Sequence, residues 1–138
     1  TKEVELNPII KELVEDFQEI YEHKNLHVEV EENAVCKIHI NESLANILIT
    51  NLLKNAMIHT PNEGSITIRV QSTGITFTNS TDGNALDQSR LFTRFYQADN
   101  KKSDSNGLGL AIVQSIVHLY HFHISYSFDG KHRFDLRF

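Results

Sequence analysis

Apolar and polar positions recur with two different periods along the chain, and the changes of period mark its elements. Ile9, Ile10, Leu13, Val14, Phe17 and Ile20 recur at helical spacing, with Lys11, Glu12, Glu15 and Glu19 on the other face. That spacing predicts an amphipathic helix. Asn7-Pro8 opens it, since Asn accepts from a free backbone N–H and Pro suits the first helical position. The period then falls to two. Leu26, Val28 and Val30 alternate with His27, Glu29 and Glu31, and Cys36, Ile38 and Ile40 repeat the alternation, so two short strands follow.

A second helix is predicted over about 42–59, capped by Asn41 and ended ahead of Pro61, whose ring disfavours helical backbone in the preceding residue. Asn62-Glu63-Gly64 is a turn, and Ile66–Val70 and Ile75–Thr78 read as strands around a tight turn at Thr73-Gly74. Residues 80–106 are long and polar, broken by Leu91, Phe92, Phe95 and Tyr96; a loop of this length in a compact domain is usually a lid or a binding loop. A third helix runs from near Gly107 to about Tyr120, and Phe122–Phe128 and His132–Phe138 close a hairpin around Asp129-Gly130. The order predicts an α/β chain of the α+β two-layer kind, a mixed, mostly antiparallel sheet with three helices on one face.

The 138 residues suffice for one domain with a real core, spanning 1–138 with a lid at about 80–106, and are too few for two. A formal charge of −5, with no long Lys/Arg run, argues against nonspecific binding to nucleic acid or to an anionic membrane surface. No apolar run approaches the roughly 18 residues of a membrane span. Cys36 is the lone cysteine, which excludes an internal disulfide and fits a reducing compartment. The chain starts at Thr1 without a signal-peptide pattern and reads as a segment of a longer protein.

Three constellations carry candidate chemistry. In Asn51-Leu52-Leu53-Lys54-Asn55-Ala56, Asn51 and Asn55 are four apart and share a helix face. Asn disfavours helix interiors because its amide competes for backbone bonds. The pair is either a solvated face or the recognition of a polar ligand, and amide oxygens are hard donors that suit Mg²⁺. Asn106-Gly107-Leu108-Gly109-Leu110 opens the third helix, either as a flexible loop end or as a phosphate cradle of free N–H groups at the helix's positive end. It is neither a dinucleotide fingerprint, because Ile112 stands where the third small residue belongs, nor a P-loop, because no Gly-Lys-Ser/Thr follows. Leu91-Phe92-Thr93-Arg94-Phe95-Tyr96 places aromatics and a cation in the polar lid; the rings either anchor it to the core, meet a ligand, or do both.

In this order the three resemble the ATP-binding catalytic domain of sensor histidine kinases. That group shares the Bergerat fold of the GHKL superfamily with type II topoisomerases, mismatch-repair ATPases and a heat-shock chaperone. The resemblance runs from Asn7-Pro8 to the final hairpin, and Leu91–Tyr96 looks like the phenylalanine box that marks the kinase branch. It implies a protein-histidine kinase that binds ATP and Mg²⁺ and transfers the γ-phosphate to a histidine of an upstream dimerisation domain of the same parent, with a response regulator as indirect partner. It also implies a cytoplasmic domain on a parent anchored in the inner membrane, without nucleic-acid or direct membrane contact. Asn55 would hold Mg²⁺, with Asn51 nearby, and His59 would lie against adenine. Gly107, Leu108, Gly109 and Leu110 would hold the phosphates, with Phe92 and Phe95 in the lid. Arg94, and Lys101 or Lys102, would reach the terminal phosphates. Asn55 and Arg94 are thus the implied catalytic residues.

The pattern is broken at one box. Where the family has Asp-x-Gly-x-Gly, this chain has Asn79-Ser80-Thr81-Asp82-Gly83. Asn79 and Gly83 keep positions in the nucleotide site, but a neutral acceptor is worth about 1 kcal/mol less than a charged one, or roughly fivefold in affinity. Thr81 would add strain if the backbone there required positive φ. Ile58 stands where the family commonly has Lys or Arg. A second reading follows, a pseudokinase-like docking module with weak or no ATP binding. A third is an ATPase or anti-sigma-type serine kinase of the same superfamily, which the aromatic lid segment disfavours. His23 lacks the acidic neighbour and the Thr-Pro tail of a phosphoacceptor. His118, His121 and His123 match no metal signature and read as solvated or helix-end residues.

Overall fold

A computed structural model describes residues 1–87, 91–92 and 109–138. The chain opens with strand β1 (Lys2–Glu5), helix α1 (Leu6–Asp16) and helix α2 (Gln18–His23). Strands β2 (His27–Glu32) and β3 (Lys37–Ile40) lead to helix α3 (Glu42–His59). Strands β4 (Ser65–Gln71) and β5 (Gly74–Ser80) come next, and helix α4 (Gly109–Tyr120) precedes the closing pair β6 (His123–Phe128) and β7 (Lys131–Arg137).

Five strands form one sheet in the order β2-β4-β5-β7-β6, with β2 parallel to β4 and every other pairing antiparallel. The expected mixed, mostly antiparallel sheet is present. Its buried face follows the two-residue period: Ile66, Ile68 and Val70 on β4, Ile75 and Phe77 on β5, Phe134 and Leu136 on β7. Helices α1, α3 and α4 pack over β2, β5 and β6 respectively, and α3 also packs against α1 and α4. The apolar stripe Ala45, Leu48, Ile49, Leu52, Leu53, Ala56 and Met57 seats α3 in the core.

Three features depart from the sequence reading. Strand β3 does not join the main sheet; it pairs antiparallel with β1 as a two-stranded sheet. The Lys2–Glu5 strand offers only Val4 to the core, too little periodicity to announce itself. The single first helix is two helices, broken at Phe17. Beyond the break Tyr21 turns inward, half-buried, while Ile20 is 53% exposed. Asn7 does not cap α1, because the cap position is Glu5 and no side chain bonds there. Buried Asn7 instead donates to Glu32 Oε1 (2.9 Å) and Ala34 O (3.0 Å) and accepts from Cys36 N–H (2.9 Å). It ties α1 to the β2–β3 connection and spends its amide on tertiary bonds.

The helix ends follow local chemistry. Asn41 caps α3 by accepting from Leu44 N–H (3.1 Å). After α2, Asn25 takes φ 57°, with Leu26 N–H bonding Tyr21 O and Asn25 N–H bonding Glu22 O (both 2.9 Å). After α4, His121 takes φ 59°, with Phe122 N–H bonding Val117 O (2.9 Å). Both stops are left-handed caps that satisfy the last carbonyls.

Candidate nucleotide site

The site is built from the exposed flank of α3 and the start of α4. Asn51 and Asn55 lie beside the buried stripe of α3, each half-buried. Asn51 Nδ2 donates back to Ile47 O (2.8 Å), which fixes the amide and leaves Oδ1 facing α4. A Cβ built on Gly109 would stand 3.2 Å from that oxygen. The first described turn of α4 therefore abuts the Asn face of α3, and the two motifs, far apart in sequence, meet. Leu110, next along α4, is half-buried against the core.

Asn55 lies one turn beyond Asn51. Its Nδ2 is buried and has no hydrogen-bond partner. Such a donor costs about 1–3 kcal/mol, a penalty that a bound phosphate or water would remove. A half-turn of the amide puts its oxygen at the same place, so the position also fits a hard cation. Among the described residues no group of three or more His, Cys, Asp or Glu is placed to hold a metal. A cation here would be held by amide oxygen and by the oxygens of its ligand.

At the C-terminal end of α3 the buried sheet face turns polar. The cross-strand pairs Ile75↔Leu136 and Phe77↔Phe134 are followed by Asn79↔His132, both buried. Asn79 Nδ2 donates to Ser80 O (3.2 Å), turning the donor end of the amide to the backbone. The His132 ring meets His59 of α3 in a T-shaped contact, with centroids 6.1 Å apart. The structure thus brings together His59 and Asn79, the two expected base-side residues, and inserts His132 between them and β6. Burial lowers the His132 pKa and favours the neutral ring. The sequence reading passed over His132, yet its parity with Phe134 and Leu136 in β7 marks it as inward-facing.

The broken box is not strained. Thr81 is absent from the described residues with positive φ, which are Asn25, Glu63, His121 and Gly130. Thr81 Oγ1 accepts from Gly83 N–H (3.1 Å), a local turn in which the threonine hydroxyl serves. Gly83 is exposed, and a Cβ there would meet only Thr81 Oγ1, at 3.6 Å. Further along, Leu86 and Leu91 are buried, and the half-buried Phe92 ring packs edge-on to Phe134 at 6.4 Å. Phe92 itself is thus anchored to the core. Arg94, Phe95, Lys101, Lys102, Gly107 and Leu108 lie outside the described residues.

Residues 40–138 match the family model of histidine kinase-, DNA gyrase B- and HSP90-like ATPases. The chain is 38% identical over 135 residues to the heme sensor protein HssS of Staphylococcus epidermidis, covering 95% of this chain and 30% of that protein. It is 34% identical over 134 residues to HssS of Staphylococcus aureus strain Newman, covering 94% and 29%. The chain therefore spans about three tenths of the length of these relatives. Among solved structures, a mycobacterial sensor histidine kinase, MprB, superposes with TM-score 0.79 at 17% identity, over 98% of this chain and 94% of that one. The catalytic domain of histidine kinase ThkA superposes with TM-score 0.79 at 21% identity, over 98% and 92%. The fold is that of histidine kinase catalytic domains, and the chain belongs to the histidine kinase-, DNA gyrase B- and HSP90-like ATPases.

Proposed function

We propose that this chain is the ATP-binding catalytic domain of a sensor histidine kinase, passing the γ-phosphoryl group of ATP to a histidine on an upstream dimerisation domain of its parent. The observation that carries the reading is the buried Asn55 amide nitrogen without a partner, one turn from Asn51, against which the glycine start of α4 is packed. Amide groups beside a helix N-terminus suit a polyphosphate and its hard cation. Similarity over nearly the whole chain to a sensor protein, HssS, and a fold shared with histidine kinase catalytic domains support the kinase branch.

In this reading Asn55 holds Mg²⁺, which bridges phosphate oxygens and neutralises their charge. Asn51 keeps α4 close to the phosphates, and Gly107, Leu108, Gly109 and Leu110 supply N–H groups at the helix start. His59 lies against adenine, and Asn79 accepts from the exocyclic amino group. Arg94, with Lys101 or Lys102, meets the terminal phosphates, and Phe92 and Phe95 shape the lid. Gly83 closes the base-side turn. The protein's own contribution is positioning and charge compensation, since phosphoryl transfer asks for little covalent chemistry from the enzyme. A neutral Asn79 makes adenine binding roughly fivefold weaker than a carboxylate would. Because ATP is made in the cytoplasm, the domain works there, on a membrane-anchored parent whose response regulator takes the phosphoryl group onward.

The test is phosphotransfer in the full-length parent with γ-labelled ATP and Mg²⁺. The label should be acid-labile and base-stable, as phosphohistidine is, and Asn55→Ala should abolish it. Calorimetric titration of the 138-residue chain with a non-hydrolysable ATP analogue should show binding. A chain that binds little or no nucleotide, within a parent that never labels, would favour the docking-module reading, for which the neutral Asn79 is the supporting feature.

A further inference from the structure

The polar end of the buried sheet face is joined to the root of the lid by a chain of hydrogen bonds. Leu86 N–H donates to Tyr126 Oη (2.9 Å), and Tyr126 Oη lies 2.8 Å from His132 Nδ1. With the ring proton on Nε2 the phenol donates to Nδ1, and with it on Nδ1 the ring donates to the phenol oxygen, so in either neutral form the pair is bonded. Burial of the ring favours the neutral state.

All three groups are buried: Leu86 is 7% exposed, Tyr126 8% and His132 3%. Their bonds are shielded from competing water, and a lost partner is not simply replaced. The His132 ring is held from several sides. Tyr126 tilts against it at 5.8 Å, Phe128 at 5.4 Å, and His59 of α3 meets it edge-on at 6.1 Å. Across the sheet its register partner is Asn79. One buried imidazole therefore touches His59, pairs with Asn79, and through one hydroxyl fixes the backbone where the chain leaves β5 for the lid. A ring that only filled space would not need a nitrogen aimed at a tyrosine hydroxyl that itself accepts from a loop amide.

We infer that Tyr126 and His132 are positioning residues for the nucleotide, holding the lid root at Leu86 in register with His59 and Asn79. They act through the Leu86 backbone and the His59 ring. The inference rests on the nucleotide-site reading above and deepens it, by tying the closing hairpin to the order of the lid root.

The test uses the 138-residue chain in three variants. Tyr126→Phe removes only the hydroxyl. His132→Leu removes the hydrogen-bond partner, and His132→Asn keeps a side-chain amide, able to donate or accept, near the place of Nδ1. Two readouts are taken: amide exchange at Leu86 without nucleotide, and calorimetric affinity for a non-hydrolysable ATP analogue with Mg²⁺. Tyr126→Phe and His132→Leu should speed exchange at Leu86 while Phe77, inside β5, keeps its protection, and should weaken nucleotide binding about fivefold. His132→Asn should restore most of both. Full affinity in a folded Tyr126→Phe variant overturns the inference, as does an equal loss in His132→Asn and His132→Leu. If Tyr126→Phe does not fold, the comparison of Leu with Asn at 132 carries the decision. A wild-type chain that binds no nucleotide overturns this inference and the nucleotide-site reading together, whereas a binding wild type with unaffected variants overturns this inference alone.

Discussion

Helix α3 carries Asn51, Asn55 and His59, so whatever holds its C-terminal end also holds the site. Lys24, just past α2, does so. Its Nζ donates to Met57 O (2.9 Å) and Thr60 O (2.7 Å), and its own carbonyl accepts from Glu63 N–H (2.9 Å). The last carbonyls of a helix have no intrahelical donor and carry the negative end of its dipole. Lys24→Met keeps much of the apolar stem and removes the ammonium group. Two hydrogen bonds from a charged donor are worth about 1.5–3 kcal/mol each when shielded. Lys24 is half-buried, so water partly replaces it at both carbonyls, and a net loss of about 2 kcal/mol is expected. The unfolding entropy of about 2.1 cal/mol/K per residue gives roughly 0.29 kcal/mol/K for 138 residues. The melting temperature should then fall by about 7 °C. Thermal unfolding followed by far-ultraviolet circular dichroism measures this, with Lys24→Arg as the control that keeps the charge. A fall of less than about 2 °C in Lys24→Met would show that water satisfies the two carbonyls as well as the ammonium group does. An equal fall in Lys24→Arg would mean that shape, not charge, is what the site requires.

Other outcomes follow from single buried groups. Cys36 is fully buried and desolvation pushes its thiol up to about 11, so a disulfide reagent at neutral pH should label it only as fast as the chain opens; immediate labelling of native protein would contradict the packing. The lowered pKa of His132 has a definite sign in stability. Above its ordinary value of about 6.5 both states are neutral and stability is full. As pH falls below that value the unfolded chain takes up the proton first, and stability declines until the folded pKa is passed. Denaturant midpoints against pH should show this limb, and His132→Asn should flatten it. Asn79→Asp, which sets a carboxylate in register with His132, should raise the ring's pKa; an unmoved imidazole titration by NMR would show that the two do not interact.

Much of this architecture is legible from periodicity. The α3 limits, the Asn41 cap, and strands β4, β5, β6 and β7 follow from spacing and turn chemistry, because each buries one face whose period the side chains display. What escapes is set by contacts distant in sequence. Asn7 reads as a cap because Asn-Pro usually is one, yet the β2–β3 connection supplies better partners and the amide goes there. Lys24 lies in a segment with no periodicity to mark it, and its role exists only once α3 ends beside it. Gly64 belongs to a legible turn, but the reason for glycine there is not backbone freedom. Positive φ falls on Glu63, while a Cβ on Gly64 would meet Thr60 Cγ2 at 2.5 Å and Ser80 Oγ at 2.8 Å. At the site, the Asn face of α3 and the glycine start of α4 were each ambiguous alone. The fold makes them informative by setting Gly109 against Asn51 and leaving the Asn55 amide unpartnered.

The broken glycine box has a coherent physical form. Its cost is not in the backbone, since Thr81 needs no positive φ and its hydroxyl closes the turn onto Gly83. In the proposed nucleotide site the cost is electrostatic and lies at Asn79, where a neutral amide stands on the base side. The same neutrality has a consequence one strand away. A carboxylate at 79 would stand in register with His132 and favour the imidazolium. An imidazolium has no lone pair on Nδ1, so the Tyr126–His132 bond could run only from ring to phenol, onto the oxygen to which Leu86 N–H already donates. Asn79 and neutral His132 are thus compatible where Asp and neutral His132 would compete. In the proposed nucleotide site, the neutral residue that weakens the hold on adenine is the one that leaves the hydrogen bonds at Leu86 in order.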